Sequence, residues 1–495
     1  MRKIGFDNEA YIKKQSREIK KRIADFGGKL YLEYGGKIFD DYHASRVLPG
    51  FAPDSKIQML KNIATDVEII VVINACDIES NKIRGDLGIS YDSDVLRLVD
   101  AMRENDIYVG SIVVAQYSGQ AAVTLFKQKL ESSGLKVYIH HLIEGYPLDV
   151  RHVVSESGFG SNDYIETTRP LVVVTAPGPG SGKMATCLSQ LYHDYKRGIS
   201  AGYAKFETFP VWNLPLKHPL NLAYEAATAD LQDVNMIDPY HLEAYGVTSV
   251  SYNRDVEVFP VLNTIFEHIE GESPYKSPTD MGVNMTGYCI TDDEVVRAAS
   301  KDEIIRRYFN SMCDRRNGRC NDAVVEKIEL LMKQAEVSVE DREVVKYALD
   351  RSAQTEDQPA MAIKLHDGRV VTGKTSALLG ASAAALLNAV KAISGIDKKK
   401  YLIDPSVIEP IQKLKVGVLG NRNPRLHSDE VLIALSISAA TNAAAMQGMQ
   451  HLKDLRGCEA HSTVILTQSD QETYRKLGIN LTSEPKYQTK KLYHR

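Results

Sequence analysis

The sequence has one tryptophan, no apolar run approaching the ~18 residues a spanning helix needs, and no H-E-x-x-H. The nearest phrases to that last motif, HHLIEG at 140–145 and HLEAY at 241–245, do not put two histidines one turn apart with a glutamate between, which disfavours a zinc peptidase. Closely paired cysteines are also missing. Cys76, Cys187, Cys289, Cys313, Cys320 and Cys458 are scattered, so neither a zinc ribbon nor a disulfide scaffold is expected, and the thiols are read as reduced and mostly buried. An excess of either charge is absent too: 60 Lys+Arg against 64 Asp+Glu gives a net charge of -4, which offers no broad attraction for nucleic acid. The opening MRKIGFDNEAYIKKQSREIKKRIADF is charged, with a helical period over about 8–26 and no apolar h-region. A cytoplasmic protein with no membrane and no nucleic-acid partner is the expectation.

What remains is ordinary globular composition, 43% hydrophobic and 25% charged over 495 residues, enough for two or three domains. Short apolar runs alternate with helical stretches: KLYLEY, VEIIVVINA, YVGSIVVAQ, LKVYIHH and PLVVVTA. That order predicts an α/β fold with a largely parallel sheet, in which VEIIVVINA (67–75) and PLVVVTA (170–176), apolar throughout, are central strands. From Thr291 to Ser352 the pattern turns charged and helical. AMAIKLHDGRVVTGK then reads as a hairpin turning at Asp367-Gly368. Ala-rich helices follow, suited to burial or to a homo-oligomer interface. The expected domains are 1–280 (α/β, with a P-loop-like strand-loop-helix), 281–358 (helical connector) and 359–495 (smaller α/β domain).

The most informative segment is RPLVVVTAPGPGSGKMATCLSQLYHDYKRG (169–198), an apolar strand, a Gly-rich turn ending in Gly-Lys, then a helix. Such a turn points successive amides inward while the helix aims its positive end at the same place. Gly178, Gly180, Ser181, Gly182, Lys183 and Thr186 are therefore the predicted phosphate-binding residues, with Lys183 reaching the phosphate. Two departures from G-x-x-x-x-G-K-[ST] stand out: Pro177 occupies the first glycine position and Met184 the position of the magnesium-binding hydroxyl, for which Thr186 is a substitute. A second GKT at 373–375 lacks cradling glycines and is read as structural.

A nucleotide site needs a carboxylate to organise magnesium, and Asp77, just after the IIVVINA strand, is placed for it, although a strand-end cap explains Asp77 equally well. Lys183 and Asp77 are thus the catalytic candidates. Substrate candidates come from three polar stretches: Arg46 beside Asp41 and His43 in EYGGKIFDDYHASRVLPGF (33–51), Arg84 beside Lys82 and Asp86 in IESNKIRGDLGISYD (78–92), and Lys205, Glu207, His218, Asp238 and Arg254 in the loop-rich 205–257. In the third region, His427, Asp429, Glu430, Glu459 and His461 fall in two short loops where they can serve as metal ligands or acid and base, while Ser428 and Asp429 form an N-cap.

Several long phrases, among them YLEYGGKIFDDYHASRVLPGF, TTRPLVVVTAPGPGSGKMATCLSQLYHDYKRG and NLPLKHPLNLAYEAATADLQDVNMIDPYHLEAYG, resemble an uncharacterised bacterial family whose members are sometimes labelled ATP-dependent zinc peptidases. The resemblance runs along nearly the whole chain and implies a bacterial cytoplasmic protein with a P-loop-like N-terminal portion. Residues and resemblance together lead to three expectations. The first is a nucleotide-binding enzyme using ATP and Mg2+ for phosphoryl transfer or ligation on a small-molecule substrate. The second is an enzyme holding a sugar phosphate or phosphate-bearing cofactor without nucleotide cleavage, and the third is a non-enzymatic oligomeric scaffold. Four strands precede the loop, so either a separate α/β unit comes first or the sheet order is unusual.

Overall fold

The computed structural model describes residues 3–84 and 87–489; Asp86 lies outside them. The described residues form two compact units, one of 4–225 with 232–300, the other of Lys3, 226–231 and 301–489.

The first unit is built on a seven-stranded sheet: β1 (Leu30–Tyr34), β2 (Val67–Asn74), β3 (Tyr108–Tyr117), β4 (Lys136–His141), β5 (Leu171–Thr175), β6 (Gly202–Phe206) and β7 (Gly282–Val283). All are parallel, in the order β7-β6-β1-β5-β2-β3-β4. Every residue of β1, β2 and β5 is buried, as expected of apolar strands covered on both faces. The sheet order, rather than a separate leading domain, accounts for the four strands ahead of the Gly-rich turn: the fifth strand inserts between the first and second.

Four helices position the site: α1 (Asn8–Asp25), α2 (Ala75–Glu79), α3 (Lys183–Lys196) and α4 (Asn253–Glu270). In α1, Asp7 caps the start by accepting from the Ala10 amide at 2.9 Å, and Tyr11, Gln15 and Ile19 recur every fourth residue on its buried face. Gln15 fixes α1 to the edge of the sheet, donating to the Val283 carbonyl at 2.7 Å and accepting from the Met285 amide at 2.8 Å. On the other side, Cys187, Leu188 and Leu191 of α3 and Phe259, Leu262 and Phe266 of α4 pack with Val172, Val174, Ile70, Val72, Tyr31 and Tyr203 in one core. Burying each large apolar side chain contributes about 1.5–3 kcal/mol. Buried Asp194 ties the last turn of α3 to β1, accepting from Tyr31 Oη and Lys29 Nζ, both at 2.7 Å.

The chain leaves β1 toward β2 in one direction and leaves β5 toward β6 in the other. Right-handed crossovers then put the two connections on opposite faces and open a crevice at the carboxyl ends of β1 and β5.

The second unit carries a four-stranded sheet of β8 (Ala360–Lys364), β9 (Val370–Lys374), β10 (Glu459–Ser462) and β11 (Asn480–Ser483) in the order β9-β8-β10-β11. The expected hairpin is β8–β9, antiparallel and turning through Gly368. Alternation sends Ala362 toward α5 (Glu343–Ala353), whereas Met361 and Ile363 join the Ala-rich α6 (Ala381–Ile393) in the main core. Gly373 of the second GKT is where α6 touches the sheet, since a β-carbon there would stand 2.2 Å from the Ala385 amide nitrogen. The unit also contains α7 (Ser428–Ser438) and α8 (Gln468–Leu477). The charged stretch before β8 forms the helices Asp293–Arg316 and Asp322–Ala335 and then α5. No helix among the described residues is long and apolar enough to cross a membrane.

Candidate functional site

The crevice rule points to the loop Ala176–Gly182 between β5 and α3. Three neighbours shape this loop. Gly178 passes so close to Tyr91 that a β-carbon would stand 2.4 Å from its hydroxyl, and Gly182, the α3 N-cap at φ 95°, would meet Ala115 at 2.8 Å. From β2, Asn74 donates to the Gly180 carbonyl at 3.2 Å and to Gln116 at 3.0 Å. No side chain caps the first turn of α3. Within the loop and that first turn, the hydroxyls of Ser181 (2% exposed) and Thr186 (0%) are buried and without hydrogen-bond partners. Lys183 opens the helix.

Asp77 lies in α2, beyond Asn74, and pairs with Lys82 at 3.1 Å; Lys82 in turn covers the Tyr91 ring at 4.8 Å. One wall of the loop is therefore the chain Asp77, Lys82, Tyr91.

A second cluster stands on the α3 side of the sheet. Glu33 of β1 and Lys205 of β6 are register partners, and Val174 of β5 is the other neighbour of Glu33, so the row ends one residue before the loop's strand does. Lys205 Nζ lies 2.5 Å from Asp255 in the first turn of α4 and 3.1 Å from Glu207, while Tyr203 donates to Glu33 at 2.7 Å and Trp212 to Glu207 at 3.3 Å. Burial, reinforced by Asp255 and opposed by Lys205, raises the Glu207 carboxyl toward neutral pH. Burial works against the Lys205 charge, but Asp255, Glu207 and Glu33 outweigh it and raise the ammonium's pKa. Cys187, one turn into α3, has its thiol pushed far up by burial and the Glu33 charge, with Lys183 pulling the other way; it sits between loop and cluster.

The other predicted substrate residues are engaged elsewhere. Arg84 and Arg97 pair with fully buried Asp94 at 2.5 and 2.6 Å. His218 lies 2.9 Å from Asp293, and Arg254 2.6 Å from Asp233. Asp238 caps a helix, accepting from the Tyr240 and His241 amides at 3.0 Å and from Thr279 Oγ1 at 2.7 Å. Arg46 lies on the short helix Tyr42–Val47 after β1. A groove of about 430 Å³, lined by Arg103, Tyr108 and Lys136 among others, opens at the amino ends of β3 and β4, the wrong end of the sheet for this crevice.

Residues 4–336 match the N-terminal part, and residues 340–493 the C-terminal part, of the domain of unknown function DUF1846. The chain belongs to the DUF1846 family. Over all 495 residues of both chains it is 58% identical to a UPF0371 protein of Streptococcus thermophilus (strain CNRZ 1066), and 56% identical to one of Streptococcus pyogenes serotype M3 (strain SSI-1). The N-terminal DUF1846 part holds the whole crevice; the C-terminal part holds the other histidine and carboxylate loops.

There, Asp470 of α8 is a hub. Its carboxylate accepts from the Ser428 amide at 2.8 Å, Ser428 Oγ at 2.6 Å, Ser382 Oγ at 2.9 Å and Thr467 Oγ1 at 2.8 Å, and faces His427 Nδ1 at 3.0 Å. Burial alone would raise the Asp470 carboxyl, but His427 and Ser428 hold it far below the carboxylate range; hydrogen bonding to Asp470 raises His427. The N-cap of α7 is His427, one residue before the Ser428–Asp429 pair predicted from sequence, because Glu430 accepts from the His427 amide at 2.8 Å. His461 is fully buried between Thr482 (2.8 Å), Glu484 (3.3 Å) and the Phe309 ring. Among the described residues no three His, Cys, Asp or Glu side chains form a metal-ligating group.

Sequence reasoning singled out Lys205 and Glu207 but missed Glu33, Tyr203 and Asp255. A carboxylate inside the apolar run LYLEY was the available signal for Glu33, and Asp255 carried none.

Proposed function

We propose that the DUF1846 chain is an enzyme acting on a phosphate-bearing small molecule, with the phosphate held at 177–183 and proton transfer provided by Glu207. The observation that carries this reading is the pair of buried, unpartnered hydroxyls, Ser181 and Thr186, at the uncapped start of α3 beside Lys183. Buried polar groups left without partners cost about 1–3 kcal/mol each, and a bound oxyanion removes that cost. Helix amides, the helix dipole and one ammonium supply the remaining attraction. Glu207, raised toward neutral pH next to a charged lysine, has the character of a group that gives and takes a proton at physiological pH.

Within this reading, ligands whose phosphate is not cleaved from a nucleotide are favoured over ATP with Mg2+. Met184 places no hydroxyl after the lysine, Pro177 replaces the first glycine, and Asp77 already pairs with Lys82. Thermal melting and calorimetric titration with inorganic phosphate, and with ATP-magnesium in parallel, test the assignment on wild type and Lys183→Ala. Phosphate should stabilise the wild type only, with ATP-magnesium no tighter. Equal stabilisation of both proteins, or of neither, removes the proposal; tight magnesium-dependent ATP binding restores the nucleotide reading.

A further inference from the structure

The Ala-rich stretch around α7 divides between two roles. Val431, Ala434 and Leu435 are buried with α6 in the core of the second unit, while Ile433 and Ile437, one turn apart on the opposite side of α7, face solvent. Glu430 lies on that outer side too, at helical spacing from both isoleucines, and it accepts from Lys415 Nζ at 2.7 Å. The buried Lys415, which also donates to the Arg425 carbonyl at 2.8 Å, thereby holds the wide helical turn Leu414–Val418 beside the outer side of α7. Val416, Val418 and the following Leu419 stand exposed there. From the other end of α7 a short turn leads into the helix Ala443–Gln450, which packs beside α7 and exposes Met446. These six side chains are between 43% and 76% exposed.

A helix that is apolar all round is ordinarily buried all round, and one side of α7 is not. The face also lacks charge. A quarter of the chain is Asp, Glu, Lys or Arg, yet none falls between Val431 and Gln450, and the one charged residue of 414–420, Lys415, is buried. Two properties select a second copy of this chain as the occupant. The first is size: the six side chains offer on the order of 600 Å², which exposed Ser436 and Ala440 extend toward the ~800 Å² each partner gives to a standard interface. The second is charge. Around a two-fold axis a patch meets itself, so a charge within it would meet its own sign, and a face with none escapes that repulsion. Exposed Asp429 on one flank, with Lys413 and Arg422 on the other, gives the rim both signs, the complement that self-association needs.

We propose that the chain forms a two-fold dimer through its C-terminal part, with the outer side of α7, the 414–420 turn and the helix Ala443–Gln450 packed on the same surface of a second copy. Sedimentation equilibrium of the full chain should give twice the chain mass. Ile433→Lys and Val418→Lys, both at exposed positions, should keep the wild-type circular dichroism spectrum and raise the dimer's dissociation constant about 30-fold or more. Hydroxyl-radical labelling of the wild type, above and below that dissociation constant, reads the face without substitution: Val418, Ile433, Ile437 and Met446 should lose reactivity several-fold on association. Should either lysine unfold the chain, the labelling alone decides. A wild type still monomeric at about 100 μM overturns the proposal, and co-sedimentation of that monomer with phosphatidylcholine vesicles would give the face to a lipid surface instead. A dimer that neither substitution weakens, or in which the four side chains label as they do in the monomer, is built on another surface and overturns it equally.

Discussion

The start of α3 and the start of α7 use the same residue types to opposite ends. Each opens a helix with serine, a basic side chain and threonine nearby. At α7 every such group is spoken for: Ser428 gives its amide and its hydroxyl to Asp470, Thr467 and Ser382 add theirs, and His427 completes the set. At α3 the Ser181 and Thr186 hydroxyls have nothing, and glycine rather than a capping side chain leads into the helix. Similar chemistry is therefore structural where it is saturated and, on the function proposed above, open to a ligand where it is not. The difference is one of satisfaction, which composition and spacing do not encode.

That contrast can be broken from either side. Asp470→Ala should have the largest effect, a loss of about 3–5 kcal/mol in chemical denaturation, because it orphans four donors and removes the partner of His427 at once; phosphate affinity should be untouched, and a parallel loss of binding would dissolve the distinction. Gly182→Ala should destabilise by about 1–3 kcal/mol, from a left-handed backbone and contact with Ala115, and should abolish phosphate-dependent melting shifts. Denaturant titrations across pH sharpen the α7 side. Asp470, depressed, contributes stability above the ordinary carboxylate range that disappears as pH falls through its folded pKa. His427, raised, contributes stability fully present below its ordinary 6.5 and lost as pH rises past its folded value. Wild type should thus lose stability on both flanks of mildly acidic pH, and His427→Ala should flatten the alkaline flank. The smallest effect belongs to Ser181→Ala: unchanged stability, or a gain of up to about 1 kcal/mol, with weaker phosphate binding. A clear loss of stability instead would mean that Ser181 is paired in solution.

The sheet was legible because its strands are long, apolar and β-branched: VEIIVVINA and PLVVVTA lie side by side at its centre. The hairpin was legible because Asp367-Gly368 allows little else. The order of strands was not, since no local pattern reports that the fifth enters between the first and second. The Gly-rich loop was visible from its glycines and lysine, whereas the grouping of Glu33, Tyr203, Lys205, Glu207 and Asp255 was invisible, being drawn from three separate segments of the chain. Arg84, His218, Asp238 and Arg254 looked available in sequence because their partners lie beyond any local window or are indistinguishable from solvated neighbours.

The placement of β5 has a consequence for assembly. Until Leu171–Thr175 leaves the ribosome, β1 and β2 cannot zip together, because the slot between them belongs to a segment not yet synthesised. The nascent chain must carry two unpaired, largely apolar edges, interrupted by Glu33, Glu68 and Asn74, for some hundred residues, and the same insertion that seals them delivers the glycine loop. A fragment stopping short of residue 171 would be an exposed, adhesive half-sheet, so the molecule becomes safe from aggregation in the same step that puts the glycine loop in place.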